Sequence, residues 1–213
     1  MNMSRSALIL VDVQNDFCPG GKLGIENADQ VVKPLNRLSS LFAERSRPVV
    51  ASQDWHPEDH VSFASSHQNK KPGDILDSAE IKGQVLWPNH CVQGTKGADF
   101  HAELDLRPVN LIVRKGYRSA LDSYSAFFEN DRKTSTGLDA YLKSFSIDTL
   151  VLGGLATDYC VLYSALDAAA LGYKTVIAAD AVMAVNIPQG SGERALELLR
   201  EAGVIITESS EIK

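Results

Sequence analysis

Cys160 is the side chain in this sequence whose type and position best suit nucleophilic chemistry. It ends the segment GGLATDYC at residues 153–160, in which two glycines follow an apolar run and Thr157 or Asp158 can cap a helix. Cys160 then lies in the first turn of that helix, where the helix dipole favours a thiolate. A free cysteine is more often a small buried packing residue, but the position of Cys160 after a predicted strand favours a nucleophile.

Two charged residues, Asp12 and Lys115, have positions from which they can assist such a nucleophile. Asp12 ends the apolar run ALILV, where an unpaired carboxylate would be costly, and Lys115 follows directly after NLIVR. A lysine just past a buried strand is often only a solvated boundary residue. Near a thiol, however, an ammonium would stabilise the thiolate and keep Asp12 ionised, and Asp12 would accept the thiol proton.

A second group of side chains has the types and spacing of metal ligands. Asp54 and His56 are two residues apart in SQDWHPEDH, so they point to the same side of an extended chain. His60 follows four residues later, and His90 lies in WPNHC. Carboxylate and imidazole ligands suit zinc, iron or manganese. The pair alone is weak evidence, and His90 favours a metal site over a polar loop with unrelated histidines.

The elements that position these residues are short apolar runs alternating with helical patterns. The predicted strands cover 7–13, 48–52, 110–114, 149–152, 175–179 and 204–207, and the predicted helices cover 29–45, 138–145, 158–171 and 193–202. This alternation predicts the α/β class, with a three-layer α/β/α domain around a mostly parallel, Rossmann-like sheet of six strands. The ends of the first four strands should meet at the ligand-binding edge of the sheet. They carry Asp12, Asp54 with His56, Lys115, and the turn to Cys160.

The stretch 53–107 interrupts the alternation of strands and helices. It contains both tryptophans and the proposed metal ligands, a composition that argues against disorder. We therefore predict one domain over residues 1–213, with a metal-binding loop excursion at about 53–107.

Composition excludes several classes of partner. The formal net charge is −6 and no Lys/Arg run occurs, so a nucleic-acid partner is not expected. No segment approaches the roughly 18 consecutive apolar residues of a membrane span, so no membrane partner is expected. Three cysteines without CxxC spacing predict a reducing cytoplasm, with Cys18 and Cys91 as packing or loop residues. The sequence leaves open whether the chain forms a homo-oligomer.

Five segments together resemble the nicotinamidase (pyrazinamidase) branch of the isochorismatase-like cysteine hydrolases. They are LVDVQNDF, SQDWHPEDH, WPNHCVQGTKGADFH, VRKGY and GLATDYCV. The resemblance implies a cytoplasmic amidohydrolase with the isochorismatase-like fold. Its substrate would be nicotinamide, hydrolysed to nicotinate and ammonia through a cysteine thioester in NAD salvage, and pyrazinamide would be a further substrate.

The resemblance also implies roles for individual residues. The residues that match functional positions are the triad Asp12, Lys115 and Cys160, the oxyanion-hole residues Ala156 and Cys160, the ring-pocket residues Phe17, Trp87 and Tyr124, and the metal ligands Asp54, His56 and His90. Cys160 would be the nucleophile and Asp12 the general base and acid, with a cis peptide just before Ala156. One divalent metal ion is implied, zinc before iron or manganese. His60 matches a fourth ligand that only some relatives use.

Three alternatives remain open at this point. Isochorismatase itself and other amidases of the superfamily, such as N-carbamoylsarcosine or ureidoacrylate hydrolases, resemble this chain in fold. The amidases share the triad, but the group lacks the DxH…H metal set. A zinc hydrolase could use metal-bound water and leave Cys160 as a packing residue. A binding module could keep the fold without catalysis, although it would have no need of Asp12, Lys115 and Cys160 together.

Overall fold

The computed structural model describes residues 3–77 and 83–213 of the chain. The strands in these ranges are β1 (Ser6–Val11), β2 (Val49–Asp54), β3 (Ile75–Leu76), β4 (Gln84–Val85), β5 (Leu111–Lys115), β6 (Thr149–Leu155), β7 (Lys174–Met183) and β8 (Ile205–Thr207). Six of them form a parallel sheet in the order β5-β2-β1-β6-β7-β8, while β3 and β4 form a separate antiparallel pair. This sheet confirms the predicted parallel architecture.

Helices cover both faces of the sheet. They are α1 (Val32–Glu44), α2 (Leu138–Ser144), α3 (Leu162–Ala170) and α4 (Ser191–Glu201). Side chains of β1 alternate between two cores, as the pleat of a strand requires. Leu8 and Leu10 share one core with α1, whereas Ala7, Ile9 and Val11 share the other with α2, α3 and α4. The three predicted layers are therefore present, and the uniformly apolar run of β1 follows from its burial on both faces.

The turn before α3 differs from the prediction. Residues 157–161 form a single wide π turn, and the residue at its cap position is Ala156, which offers no side-chain hydrogen bond. Thr157 and Asp158 are therefore not capping residues. The carboxylate of Asp158 instead accepts hydrogen bonds from the backbone N–H groups of Val185 and Asn186, at 3.0 and 2.8 Å. These bonds attach the segment after β7 to the turn that carries Cys160.

Hydrogen bonds between loops connect the described parts of the stretch 53–107. The N–H of Ala64 donates to the carbonyl of Trp87, and the N–H of Trp87 donates to the carbonyl of Ser62, at 2.9 and 2.8 Å. The N–H of His56 donates to the carbonyl of Cys91 at 3.0 Å. These bonds bring the distant halves of the stretch together beside the end of β2. Among the helices of the described residues, none has both the length and the apolar character needed to cross a membrane.

Candidate active site

The ends of four adjacent strands bring the predicted triad together. Asp12 follows β1, Asp54 ends β2, Lys115 ends β5 and Cys160 lies in the turn after β6, and all four side chains are buried. The Nζ of Lys115 lies 2.9 Å from Oδ2 of Asp12 and 3.4 Å from Sγ of Cys160. An acid, a cation and a thiol thus share one buried cluster, as their positions at strand ends predict.

Asp12 leaves its strand in a backbone conformation that is uncommon for a residue with a side chain. Its φ is +46°, and its Oδ1 accepts a hydrogen bond from the Ser52 hydroxyl at 2.7 Å. The neighbouring strand approaches closely because position 154 is glycine. A Cβ on Gly154 would lie 2.0 Å from the carbonyl oxygen of Val11. The backbone therefore turns the carboxylate of Asp12 toward the thiol and fixes it there.

Lys115 is a fully buried ammonium in close contact with three oxygen atoms. These are Oδ2 of Asp12 at 2.9 Å, Oδ1 of Asp54 at 2.5 Å and the carbonyl of Ser123 at 2.9 Å. Burial alone would lower the pKa of Lys115, but the two carboxylates outweigh burial and raise that pKa well above its usual value. The side chain therefore stays charged, and its donors hold the two carboxylates in place.

The thiol of Cys160 is neutral at rest in this environment. Burial is the largest cause that raises its pKa well above the usual value; Lys115 opposes this, and Asp12 and Asp54 add to it. Lys115 favours the expected thiolate, whereas burial and the two carboxylates oppose it. Burial also raises the pKa of Asp12, with Lys115 opposing and Asp54 adding to it. A thiol of this kind needs a base at the moment of attack.

Asp54, His56 and His90 form a three-residue cluster with the donor atoms of a metal site. One ligand atom from each lies within 4.8 Å of the other two. The Nδ1 atoms of His56 and His90 lie 2.9 Å and 2.8 Å from the carbonyls of Gly116 and Pro88. These contacts favour Nδ1–H donors and leave both Nε2 atoms as the lone-pair atoms for the site. One carboxylate and two imidazoles fit a divalent ion such as zinc.

Gly116 is required for the position of His56. Its φ is +62°, and a Cβ built on it would lie 2.4 Å from Cε1 of the His56 ring. The carbonyl of Gly116 also accepts a hydrogen bond from Nδ1 of the His56 ring. The glycine in the segment VRKGY thus allows the imidazole to lie flat against the backbone that follows Lys115.

His60 lies beside this cluster but has both ring nitrogens engaged elsewhere. Its Nδ1 is 2.7 Å from the Ser62 hydroxyl, and its Nε2 is 3.2 Å from the carbonyl of Leu121. His60, His56 and Asp122 also form a group with ligand atoms within 4.8 Å. Burial, with a contribution from His56, lowers the pKa of His60 to about 4, so its ring is neutral at pH 7.

A cavity joins the two clusters. Cys160, Ala156, Asp54, His56 and His90 line it, together with the predicted ring-pocket residues Phe17, Trp87 and Tyr124. The indole N–H of Trp87 donates to the hydroxyl of Tyr124 at 3.3 Å, and the ring of Phe17 lies 5.4 Å from that of His90. The peptide bond between Leu155 and Ala156 is cis, as the resemblance implies. Aromatic walls and convergent polar groups are typical of a small-molecule site.

Several residues of the site were not predicted from the sequence. Those that line the cavity are Leu23, Ile25, Asp122, Ser123, Tyr159 and Val185. Tyr159 is adjacent to Cys160, so its proximity could have been inferred, and its ring meets that of Trp87 edge to face at 4.9 Å. Asp122 and Ser123 lie in an irregular loop without a periodic pattern that could have indicated them.

Gln14 is a further residue that the sequence did not single out. Its side-chain amide accepts from the N–H of Asp54 and donates to the carbonyl of Asp54, both at 2.8 Å, and also donates to the carbonyl of Ala98 at 2.9 Å. The two hydrogen bonds to Asp54 resemble those between neighbouring strands, and they fix the main chain of Asp54. Its position two residues after Asp12 in LVDVQNDF was the available signal.

Comparisons with known sequences agree over nearly the whole chain. The family model described as "Isochorismatase domain" matches residues 6–211. A nicotinamidase of Acinetobacter baylyi is 47% identical over 201 residues, which cover 94% of this chain and 91% of that protein. A nicotinamidase of Escherichia coli is 44% identical over 208 residues, which cover 96% of each.

Solved structures show the same similarity. A nicotinamidase/pyrazinamidase of Acinetobacter baumanii has a TM-score of 0.94 at 43% identity, with 100% of both chains covered. The yeast nicotinamidase bound to the inhibitor nicotinaldehyde has a TM-score of 0.85 at 29% identity, covering 95% of this chain and 99% of that one. A pyrazinamidase of Pyrococcus horikoshii in complex with zinc has a TM-score of 0.79 at 32% identity, covering 96% and 99%.

Proposed function

The chain belongs to the isochorismatase family, and from this membership we propose that it hydrolyses nicotinamide to nicotinate and ammonia. The observation that carries the proposal is one cavity lined both by Cys160 and by the cluster of Asp54, His56 and His90. A pyridine carboxamide has two features that match these two groups. Its carboxamide carbon can be attacked by a thiolate, and its ring nitrogen has a lone pair that a metal ion can accept.

In this proposal Cys160 attacks the carboxamide carbon while Asp12 accepts the proton from its thiol. The neutral thiol and the adjacent carboxylate support this coupling, because proton removal is then needed only as the carbon–sulfur bond forms. The backbone N–H groups of Ala156 and Cys160 stabilise the tetrahedral oxyanion, by roughly 3 kcal/mol for each donor. Asp12 then gives its proton to the leaving nitrogen, so that ammonia departs and a thioester remains.

Water hydrolyses the thioester in the second half of the reaction. Asp12 again takes a proton, now from the water, and the hydroxide attacks the thioester carbon. The proton returns to the Cys160 sulfur as nicotinate is released. Lys115 holds the Asp12 carboxylate throughout, and its 2.9 Å contact with Oδ2 keeps that oxygen beside the sulfur.

Asp54, His56 and His90 are the proposed ligands of one divalent metal ion, and zinc is the first choice before iron or manganese. Two imidazole Nε2 atoms and a carboxylate support this assignment, as does the zinc in the Pyrococcus horikoshii pyrazinamidase. When bound, the ion supplies an electrophilic position for the ring nitrogen and fixes the distance to the thiol. Phe17, Trp87 and the other aromatic walls enclose the ring.

The proposal extends to the cellular role and to the organisation of the chain. We place the reaction in the cytoplasm and in NAD salvage, and we include pyrazinamide as a substrate, consistent with the Acinetobacter baumanii relative. Residues 1–213 form one hydrolase domain in this proposal, with the metal-binding excursion at about 53–107. Nicotinamide is the partner that the site is proposed to bind.

Ammonia release from nicotinamide tests the proposed function directly. The zinc-loaded protein should release ammonia, and Cys160→Ser should reduce turnover by at least about 1000-fold because the nucleophile is lost. Cys18→Ser is the matched control, since Cys18 is also buried but does not line the cavity. Activity retained in Cys160→Ser would favour a hydrolase that uses metal-bound water. Absence of turnover at every loading of zinc, iron or manganese would reject the proposal.

A further inference from the structure

Asp16 is a buried carboxylate to which the proposed mechanism gives no task. It lies in the short turn Asn15–Phe17, four residues after Asp12, and its exposed fraction is 8%. Its Oδ2 accepts a hydrogen bond from the N–H of Cys91 at 2.8 Å. Its Oδ1 accepts one from the N–H of Lys22 at 3.1 Å. The two oxygens therefore bind the main chain of two separate loops.

The loop on the Oδ2 side carries a proposed metal ligand. The N–H that Asp16 binds belongs to the peptide between His90 and Cys91, and Cys91 has a φ of +46°. The carbonyl of Cys91 accepts a hydrogen bond from the N–H of His56 at 3.0 Å. The N–H and the carbonyl of Cys91 are thus both hydrogen-bonded. The positions of the proposed ligands His56 and His90 depend on this backbone.

The loop on the Oδ1 side carries walls of the cavity. The N–H of Leu23, a cavity residue, donates to the carbonyl of Asp16 at 3.0 Å, next to the bond from Lys22. Phe17, the residue after Asp16, also lines the cavity. Asp16 thus connects the loop of Lys22 and Leu23, here called the ring-pocket loop, to the loop of His90.

Gly97 provides the space in which this carboxylate lies. The N–H of Asp16 donates to the carbonyl of Gly97 at 3.0 Å. A Cβ built on Gly97 would lie 2.1 Å from Oδ2 and 2.5 Å from Oδ1 of Asp16. A methyl group at this position would therefore displace the carboxylate without changing its chemistry.

We propose that Asp16 is a positioning residue that holds His90 and the ring-pocket loop in place, an inference that rests on the proposed metal site. Two negative oxygens suit the task because each accepts a backbone N–H from a different loop, and burial would otherwise leave the N–H of Cys91 unpaired. An amide at this position could satisfy one of the two N–H groups but would present a donor to the other.

Zinc affinity of the metal-stripped, full-length protein tests this proposal. Zinc chloride is titrated in competition with a chromogenic chelator for the wild type, Asp16→Asn and Gly97→Ala. Both variants should bind zinc about 10-fold to 100-fold more weakly, the range typical of changes behind a metal ligand. At saturating zinc, the KM for nicotinamide should rise more than kcat falls, because the ring-pocket loop has moved while the triad has not.

Asp180→Asn is the matched control for losing a carboxylate that holds a backbone N–H. Asp180 accepts the N–H and hydroxyl of Ser209, both at 2.6 Å, and does not line the cavity. The zinc affinity of Asp180→Asn should stay within twofold of that of the wild type, even if the variant is less stable. If Asp16→Asn fails to fold, the proposal is tested with Gly97→Ala alone, since this variant keeps every hydrogen-bonding group.

Unchanged zinc affinity in the folded variants, with zinc bound normally by the wild type, would overturn the proposal. Equal weakening in Asp180→Asn would also overturn it, because the effect would then reflect general destabilisation. Failure of the proposed function is seen separately, as a wild type that binds zinc but does not release ammonia from nicotinamide. A wild type without zinc affinity would overturn the role of Asp16 together with the metal site.

Discussion

The Nζ of Lys115 lies 2.5 Å from Oδ1 of Asp54. The sequence patterns place these two residues in different groups, Lys115 with the nucleophile Cys160 and Asp54 with the metal ligands. The other oxygen of Asp54, Oδ2, lies 3.5 Å from Nε2 of His56. Asp54 therefore belongs to both clusters, with one oxygen toward each. The triad and the proposed metal site are parts of a single buried charge network.

Removal of the central ammonium should destabilise the metal-free protein. In Lys115→Met, Asp12 and Asp54 lose their shared counterion, and we expect the free energy of unfolding to fall by about 3 kcal/mol. Zinc should restore part of it by neutralising Asp54. Urea unfolding with and without zinc measures both effects. Lys143→Met, which breaks an exposed 2.7 Å pair, should cost less than about 1 kcal/mol; equal losses would contradict this account.

Asp12→Asn should remove the proposed proton acceptor while it preserves the size of the side chain. We expect kcat for nicotinamide to fall about 100-fold to 10,000-fold, the usual contribution of a general base. Ser52→Ala is the graded control, because it removes only the 2.7 Å hydrogen bond to Oδ1 and leaves the carboxylate. Steady-state ammonia release compares the three proteins. A similar loss in both variants would argue against proton transfer as the task of Asp12.

Gly116→Ala should weaken zinc binding, because its methyl group would collide with the ring of His56. Gly137 provides the control: its φ is +91°, and a Cβ there would have no atom within 4 Å. Gly137→Ala should therefore show backbone strain alone, at about 1 kcal/mol of unfolding free energy. Zinc titration and urea unfolding separate the two effects. Normal zinc affinity in Gly116→Ala would mean that the His56 ring is not restrained as described.

His60 should not be required for metal binding, because both of its ring nitrogens already have partners. We expect His60→Asn to change the zinc dissociation constant by no more than about threefold. His90→Ala should exceed the roughly 10-fold to 100-fold loss that changes behind a ligand produce. Competition titration of the metal-stripped proteins measures both constants. A large loss in His60→Asn would make His60 a fourth ligand.

Stability at acid pH should depend on Asp139. Partial burial would raise its pKa, but hydrogen bonds from Lys143 and Tyr173 outweigh burial and lower it. Because the folded pKa lies below the unfolded one, the stabilisation is present above the unfolded value and is lost as pH falls through the folded one. Between about pH 5 and pH 3, urea midpoints of the wild type should fall more steeply than those of Asp139→Asn. Parallel curves would show that Asp139 does not contribute.

The triad could be predicted because each member lies at the end of a strand or in the turn that follows it. Parallel strands end at one edge of a sheet, so Asp12, Lys115 and Cys160 had to approach one another once the strands were identified. The metal cluster was predicted from spacing and resemblance, and the structure brings its three members within 4.8 Å. Strand ends were thus sufficient for the triad, whereas His90, which lies in an irregular loop, was identified by its motif.

Features that depend on irregular backbone or on several distant groups could not be predicted. Asp122 reaches the cavity from a loop without periodicity, and no pattern connects it to His56. The raised pKa of the Cys160 thiol depends on burial and on two carboxylates from other strands. The task of Asp16 depends on a contact with Cys91, 75 residues later in the chain.

The order of strands also bears on when activity can appear during synthesis. Asp12 leaves the ribosome early, but the strand that leads to Cys160 is β6, which pairs with β1 in the middle of the sheet. A nascent chain that ends before β6 holds the proposed base, the lysine and the proposed metal ligands without the proposed nucleophile, and its β1 has an unpaired edge. The proposed hydrolysis therefore requires synthesis to continue past the central strand β6 to Cys160.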